Sequence, residues 1–313
     1  MSEIIDTVMI GAGPSALAAA VYTTREDINT VLYEKGVIGG LAAITDMVDN
    51  YPGFAEGIEG LRLAEQLQKQ AERFGAKIEF GQIDKISVNT DGTKTLLVDG
   101  MTEVKANTVL IATGSDYNKL GIPGEAEYYG RGVHYCATCD GAFYREKRLV
   151  VVGGGNSAVQ EAIFLTRFAS HIDLLVRSTV KASEVLQHDL QKYVDEGKIT
   201  IHLGVKPKEI VTVDNKVTHV LADKDGKEVK YETDGVFVFI GLSPNTQFLE
   251  GSGIELDDSR LIKTNEHLET NLPGVFACGD VRSGATMQIA SAVGEGATAA
   301  LSIREYIDEL KRK

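Results

Sequence analysis

The sequence predicts an α/β fold built from two nested, three-layer ββα domains, and three observations carry that prediction. A short apolar segment runs into a glycine turn and then a helical pattern at residues 4–16, and the same device recurs at residues 148–158. Near the C-terminus another apolar strand closes on Gly279-Asp280, separated from the first device by the whole of the second. This order makes the second unit an insertion in the first. A length of 313 residues accommodates two domains of ordinary size, each with its own core.

The first device opens with a buried strand over residues 4–10 and turns at Gly11-Ala12-Gly13-Pro14-Ser15-Ala16. A helix is predicted from there to about Arg25, and a second strand, Thr30-Val31-Leu32-Tyr33, ends in Glu34. This is the Rossmann-like β-turn-α-β pattern of dinucleotide-binding folds. Gly11 permits the sharp turn, Gly13 lets backbone approach a pyrophosphate, Ala16 allows close helix–strand packing, and Glu34 can accept from ribose hydroxyls. The unpaired N–H groups of the helix start face the anion.

The second device repeats the logic. Arg148-Leu149-Val150-Val151-Val152 leads into Gly153-Gly154-Gly155-Asn156-Ser157-Ala158, a helix is predicted through Phe168, and a strand over Ile172–Val176 follows. One such turn is a weak signal; two in matching strand–helix context are a strong one. Two further segments tie the first unit to a flavin: the strand from Thr108 that closes on Ala112-Thr113-Gly114, and Gly274–Asp280. Asp280 is suited to accept from a polyol hydroxyl, with an N-cap as the competing reading. A helix start at Gln288-Ile289-Ala290 can aim N–H dipoles at the ring. Boundary glycines and prolines at 121–124 and 241–245 mark the insertion. The expected domains are 1–114 plus 246–313, tied to a flavin, and an inserted second nucleotide-binding domain over 115–245 that carries the Cys-x-x-Cys pair.

Composition narrows the function. Lys plus Arg is 32 against 45 Asp plus Glu, a formal net charge of −13, which speaks against nucleic acid as a partner. No apolar stretch approaches the ~20 residues of a membrane span. The N-terminus lacks the basic start and cleavage site of a signal peptide, so no membrane association and a cytoplasmic location are expected. Three cysteines do not make a disulfide framework, but two of them stand as Cys136-Ala137-Thr138-Cys139, a spacing that points to redox chemistry. A CxxC near a helix start lowers thiol pKa, and thiolate is the reactive form. Asp140 directly after the pair is the candidate proton donor and acceptor, against the alternative of a solvated helix-start carboxylate. A metal reading also exists, because His134 joins Cys136 and Cys139 within six residues; structural zinc, however, wants four ligands, and the remaining Cys278 lies in the other domain, so no metal is expected. Cys278 reads as a small packed residue.

With these motifs in view the chain resembles the low-molecular-weight, bacterial-type thioredoxin reductases, a class-II branch of the pyridine nucleotide-disulfide oxidoreductases. The resemblance runs through Gly11–Ala16, Gly39-Gly40, Asp49-Asn50-Tyr51-Pro52-Gly53-Phe54, Ala112-Thr113-Gly114, Arg131-Gly132, Cys136–Asp140, Gly153–Ala158, Gly241–Asn245 and Gly279-Asp280, in the family's order over nearly the whole chain. A Cys-Ala-Thr-Cys-Asp segment inside the inserted domain is its most specific part. The resemblance implies thioredoxin-disulfide reductase activity, a homodimer, a tightly held FAD, and a dithiol reduced by flavin and oxidised by thioredoxin. It also implies that Cys139 faces the flavin, that Cys136 is the nucleophile, and that the domains swivel about segments near 114 and 241. For FAD it implies contacts from Gly11, Gly13, Pro14, Ser15, Ala16, Glu34, Gly39, Gly40, Asn50, Ala112, Thr113, Gly114, Gly279, Asp280, Gln288 and Ile289. For NADPH the corresponding residues are Gly153, Gly155, Asn156, Ser157, Ala158, Arg177, Lys181 and Gly241.

Three departures bear on this. NADPH-using members carry a His-Arg-Arg-x-x-x-Arg pattern after the second strand of the inserted domain; here the stretch is Val176-Arg177-Ser178-Thr179-Val180-Lys181, with one arginine and no acid. Met287 stands where arginine is usual, and Leu41 where glutamine is usual. NADPH is the expected donor because the glycine turn and Gly241–Asn245 are intact, with reduced ferredoxin or NADH as alternatives. A non-catalytic flavin- or metal-binding regulator on the same fold is the reading from a different class.

Overall fold

The computed structural model describes residues 4–45 and 47–312. The chain forms two compact units, Met1–Asp116 with Ser243–Lys313, and Tyr117–Leu242.

In the first unit a mixed sheet has the order Lys77–Phe80, Thr30–Glu34, Ile5–Ile10, Thr102–Ile111, Lys94–Val98, Ile83–Val88. The central strands are parallel, in the register Val8 to Val31 and Val8 to Val109. The ten-residue strand Thr102–Ile111 is shared along its length: its first half pairs antiparallel with Lys94–Val98, its last three residues pair parallel with Val275–Ala277. Alternate side chains enter different cores, as the period-two geometry of a strand requires. Met9, Leu32, Leu110 and Phe276 pack with the helices. Val8, Ile10, Val109 and Ile111 pack on the opposite face. On the helical side Pro14–Arg25 lies against Ile289–Arg312 so closely that a Cβ at Gly296 would strike the Ser15 carbonyl.

Among the described residues of this unit, one charged side chain is buried in the core. Lys94 is fully buried, donates from Nζ to the Asn107 carbonyl (2.8 Å), and holds its ammonium 5.0 Å from the centre of the Tyr306 ring. Burial pushes its pKa down to about 8.

The second unit repeats the layering. Its sheet is parallel throughout, in the order Val133–His134, Gly235–Val238, Arg148–Val152, His171–Val176, Ile199–Leu203. Leu149, Val151 and Leu174 face the helix layer with Val159 and Ala162. Val150, Val152 and Leu175 face an antiparallel meander, Val205–Val213, Lys216–Lys224 and Lys227–Glu232, through Val205, Ile210 and Val220. Each unit is thus a Rossmann-like three-layer structure. The helix after the second turn covers Asn156–Leu165, three residues shorter than expected. The chain turns there because the N–H groups of Phe168 and Ala169 both close on the Leu165 carbonyl. Among the described residues no helix is long and apolar enough to cross a membrane.

Candidate active site

The two glycine turns have the same anatomy. At Gly11 φ is +99°, and an added Cβ would lie 2.6 Å from the Ala112 carbonyl oxygen. At Gly153 φ is +146°, and an added Cβ would collide with the Phe239 carbonyl and lie 2.7 Å from the Ala158 methyl. Backbone conformation and packing both demand glycine at these two positions. At Gly13 (φ −77°) and Gly155 (φ −88°) neither demand exists: the conformation suits any residue, and an added Cβ would meet nothing within 4 Å. Nothing in the protein itself requires glycine there, which is the condition of a surface kept clear for a ligand at a helix N-terminus.

In the first unit Glu34 closes this turn. Its carboxylate accepts from the Ala12 N–H (2.7 Å) and the Gly36 N–H (2.7 Å), which fixes the acid at the strand end beside the glycines. A cleft runs along Gly11, Glu34, Lys35, Gln82, Thr113 and Phe248. Gly39 donates its N–H to the Ala12 carbonyl (2.8 Å), and a Cβ on Gly40 would come within 3.9 Å of the Gly13 Cα, so this pair borders the turn. Ser15 and Gly279 are neighbours, since a Cβ at Gly279 would sit 2.8 Å from the Ser15 hydroxyl. Thr113 donates its hydroxyl to the Asn245 carbonyl (2.8 Å) next to Gly114. Asn50 Nδ2 donates to Gln288 Oε1 (3.1 Å), joining residues far apart in sequence just before the helix that starts at Ile289. Met287, one of the departures, has φ +59°, and its carbonyl accepts from the Gln288 amide (2.9 Å). Asp280 does not cap that helix, which begins well beyond it. Burial and then the Glu295 carboxylate raise its pKa to about 6. Behind it stands a support that no local sequence pattern signals: Glu295 accepts from the Gly279 N–H (2.8 Å) and from Arg282 Nη2 (2.7 Å) and Nε (3.2 Å). Cys278 is buried in the core, and burial pushes its thiol up to about 12, so it is inert as a nucleophile.

In the second unit Asn156 Oδ1 accepts from the Ser183 N–H (2.8 Å), and the Lys181 N–H donates to the Gly154 carbonyl (2.6 Å). Ser157 is exposed at the helix start, whereas Ala158 is buried against the turn. The side chains of Arg177 and Lys181 are exposed, and Val176 ends the strand without an acid after it. Gly241 (φ +106°) closes the unit by accepting from the Asn118 N–H (3.1 Å).

Cys136 and Cys139 form a disulfide at the start of the short helix Ala137–Asp140, both half-buried. The Cys139 N–H points at Cys136 Sγ (3.2 Å), an interaction that favours sulfur with negative charge. Asp140 lies at the end of the same turn with Oδ2 3.1 Å from His134 Nδ1. On the other side of the imidazole, Nε2 is 2.7 Å from the Tyr144 hydroxyl. By sequence alone His134 is marked only as a candidate metal ligand. Among the described residues no group of three or more His, Cys, Asp and Glu is placed to hold a metal ion. A disulfide, a carboxyl beside it and a glycine turn in one parallel-sheet unit are equipped to pass electrons between a nucleotide-type donor and sulfur.

These features define a two-turn disulfide oxidoreductase, and the chain belongs to the pyridine nucleotide-disulphide oxidoreductase family, whose sequence profile matches residues 5–296. Within that family its similarity is to thioredoxin reductases. It is 43% identical to thioredoxin reductase of Bacillus subtilis (strain 168) over 317 residues, covering 99% of this chain and 98% of that protein. The thioredoxin reductase of Listeria monocytogenes serovar 1/2a is 41% identical over 312 residues, 99% of this chain and 96% of that one. The crystal structure of thioredoxin reductase from Streptococcus pyogenes MGAS5005 superposes with a TM-score of 0.92 at 37% identity, covering 99% of this chain and all of that one.

Proposed function

We propose that this chain is a thioredoxin-disulfide reductase, taking electrons from NADPH through FAD to the Cys136/Cys139 couple and delivering them to thioredoxin or a thioredoxin-like protein. The observation that carries the reading is the Cys136–Cys139 disulfide, with Asp140 beside it, inside the unit that bears the second glycine turn. Bound FAD supplies a carrier that accepts hydride and passes electrons to sulfur. Gly11, Gly13, Pro14, Ser15 and Ala16 hold its pyrophosphate, with Gly39 and Gly40 alongside. Glu34 holds the ribose, Ala112–Gly114 and Gly279-Asp280 the polyol, and Asn50, Gln288 and Ile289 the ring end. The open face above Gly13 supports this fit. Gly153, Gly155, Asn156, Ser157, Ala158 and Gly241 cradle the nicotinamide donor, and Arg177 with Lys181 face its 2′-phosphate. The protein acts as a homodimer in the cytoplasm.

Cys136 attacks the partner disulfide, Cys139 resolves the mixed disulfide, and Asp140 exchanges the proton. In Cys136→Ser the remaining Cys139 thiolate should give a long-wavelength charge-transfer band with the flavin, and in Cys139→Ser that band should be missing. Full disulfide reductase activity in either single variant overturns the assignment. The sparse cationic end of the second strand, Arg177 and Lys181 alone, keeps the donor a separate question. Anaerobic mixing with NADPH, NADH and reduced ferredoxin in turn, followed by flavin bleaching, decides it; bleaching by ferredoxin and by neither nucleotide replaces NADPH with that protein donor.

A further inference from the structure

We propose that His134 is a positioning residue for Asp140: an imidazole whose Nδ1 faces the Asp140 carboxyl and can either donate to it or accept from it, with the Tyr144 phenol closing its far side. The inference rests on the disulfide reductase reading above.

The imidazole is 4% exposed and fixed on three sides. It stacks on Phe237 with centroids 5.0 Å apart, meets Tyr144 edge-on at 5.3 Å, and is anchored in the strand Val133–His134. Tyr144 is itself locked, because its ring fills the space a Cβ at Gly235 would need. Burial, then the negative charges of Asp140 and Asp234, push the Tyr144 pKa up, so the phenol stays an O–H group through any working pH. The charged groups around this trio are Asp140 and Asp234, the latter accepting from the Arg148 N–H (3.0 Å) with Lys147 Nζ 3.9 Å away. The contact between Nδ1 and Oδ2 is close but poorly aligned for a hydrogen bond in this disulfide state, leaving Nδ1 as a buried nitrogen without an aligned partner. Such contacts at catalytic groups commonly tighten when the reacting partner is in place.

A carboxyl that gives and takes a proton alternates between donor and pure acceptor. A lysine or arginine beside it would lock it as the anion. Neutral imidazole has one donor and one acceptor nitrogen, and the two can exchange. With Asp140 ionised, Nδ1–H donates to the carboxylate and Nε2 accepts from the Tyr144 O–H. With Asp140 protonated, its O–H donates to Nδ1, and Nε2–H donates to the phenol oxygen. In both states the Asp140 carboxyl and the two ring nitrogens keep a partner, and a buried polar atom left without one costs about 1–3 kcal/mol.

The proton balance of the interchange uses both states. The Cys136 thiolate attacks the partner disulfide, forming a Cys136–partner S–S bond and expelling a thiolate, which takes the Asp140 proton. The Asp140 carboxylate then takes the proton of the Cys139 thiol as that sulfur attacks Cys136, forms the Cys136–Cys139 bond and expels the second partner sulfur as thiolate. Asp140 ends protonated, as it began.

The test exploits leaving-group acidity. Dithionite-reduced holoenzyme is mixed anaerobically with 5,5′-dithiobis(2-nitrobenzoate), whose acidic thiol leaves without a proton, and with hydroxyethyl disulfide, whose aliphatic thiol leaves faster when protonated. In His134→Phe the ratio of the aliphatic to the aromatic rate should fall roughly tenfold or more, a part of the ~10²–10⁴ that general acid catalysis contributes. Tyr144→Phe, which keeps the imidazole and the packing, should lower the same ratio by a smaller factor. An unchanged ratio in both variants, with both rates falling together or neither falling, overturns the role of His134 while leaving the reductase reading intact. Reduced unmodified enzyme that leaves both of these disulfides and a thioredoxin disulfide intact overturns the reductase reading, and this inference with it.

Discussion

The two glycine turns differ least where the chain bends and most where a ligand would be selected. Gly11 and Gly153 share a positive φ and a carbonyl packed where a side chain would be, and Gly13 and Gly155 share an ordinary φ and open space. At the end of the second strand the likeness stops. In the first unit Glu34 is tied to two backbone N–H groups and presents a fixed acid; in the second unit the strand runs out into exposed Arg177, Ser178 and Thr179. The bend is a property of backbone geometry and tolerates no alternative. In the proposed nucleotide sites, ligand choice would rest on a few side chains beyond it, which are exposed in the second unit.

The largest effects should come from the glycines that the backbone requires. Gly11→Val and Gly153→Val each combine a strained conformation, about 1–3 kcal/mol, with overpacking against a carbonyl, about 1–3 kcal/mol. Urea unfolding should show the affected protein destabilised by several kcal/mol, and a stability within error of the parent would mean that the turn has another conformation. Gly13→Val and Gly155→Val should separate the units by function at near-parent stability. The first should yield colourless protein; the second should stay yellow but lose reduction by NADPH. Yellow Gly13→Val protein would move the flavin elsewhere.

A smaller change sharpens the contrast at the strand ends. A phosphate is held best by forked donors in pairs, and each charge-assisted hydrogen bond contributes about 1.5–3 kcal/mol. Ser178→Arg should therefore lower the KM for NADPH on the order of tenfold or more and leave NADH unaffected. Equal gains for both nucleotides would show that the added charge acts only at long range.

The smallest effect concerns Lys94, which has no counterpart in the sheet of the second unit. Its folded pKa lies near 8, below the usual lysine value of 10.5, so between those limits the unfolded chain binds more protons and stability rises with pH. Below about pH 8 the burial of charge is carried in full. Lys94→Met should remove that rise: urea midpoints of parent and variant should converge, or the parent gain, between pH 8 and pH 10. Parallel curves would show that the ammonium is solvated.

Much of this was legible in the sequence because it is local. The strand Arg148–Val152 and the helix Pro14–Arg25 follow from runs of apolar residues and adjoining turn glycines, and the Cys136-Ala137-Thr138-Cys139 spacing points to the disulfide that the structure contains. What the sequence hid depends on partners far along the chain. Lys94 sits in a strand whose alternation gives no sign that the ammonium meets Asn107 and Tyr306. Glu295 looks like any helix glutamate until Gly279 and Arg282 are brought to it. His134 stood two residues from the cysteine pair, yet its bond to Tyr144 and its stacking on Phe237 exist only once the strand Gly235–Val238 pairs beside it.

The divided strand Thr102–Ile111 also sets a timetable for synthesis. Its last three residues wait for Val275–Ala277, and the helix Pro14–Arg25 waits for Ile289–Arg312, so the N-terminal unit cannot close until almost the whole chain exists. The continuous Tyr117–Leu242 unit has every strand of its sheet and meander by residue 238. On the ribosome the inserted unit should mature first and the unit begun earlier should finish last, reversing the usual N-to-C order. Nascent chains stalled with about 250 residues outside the exit tunnel should show protease resistance within 117–242 and cleavage within 4–116; resistance in both would mean that the first half closes without its C-terminal strand and helix.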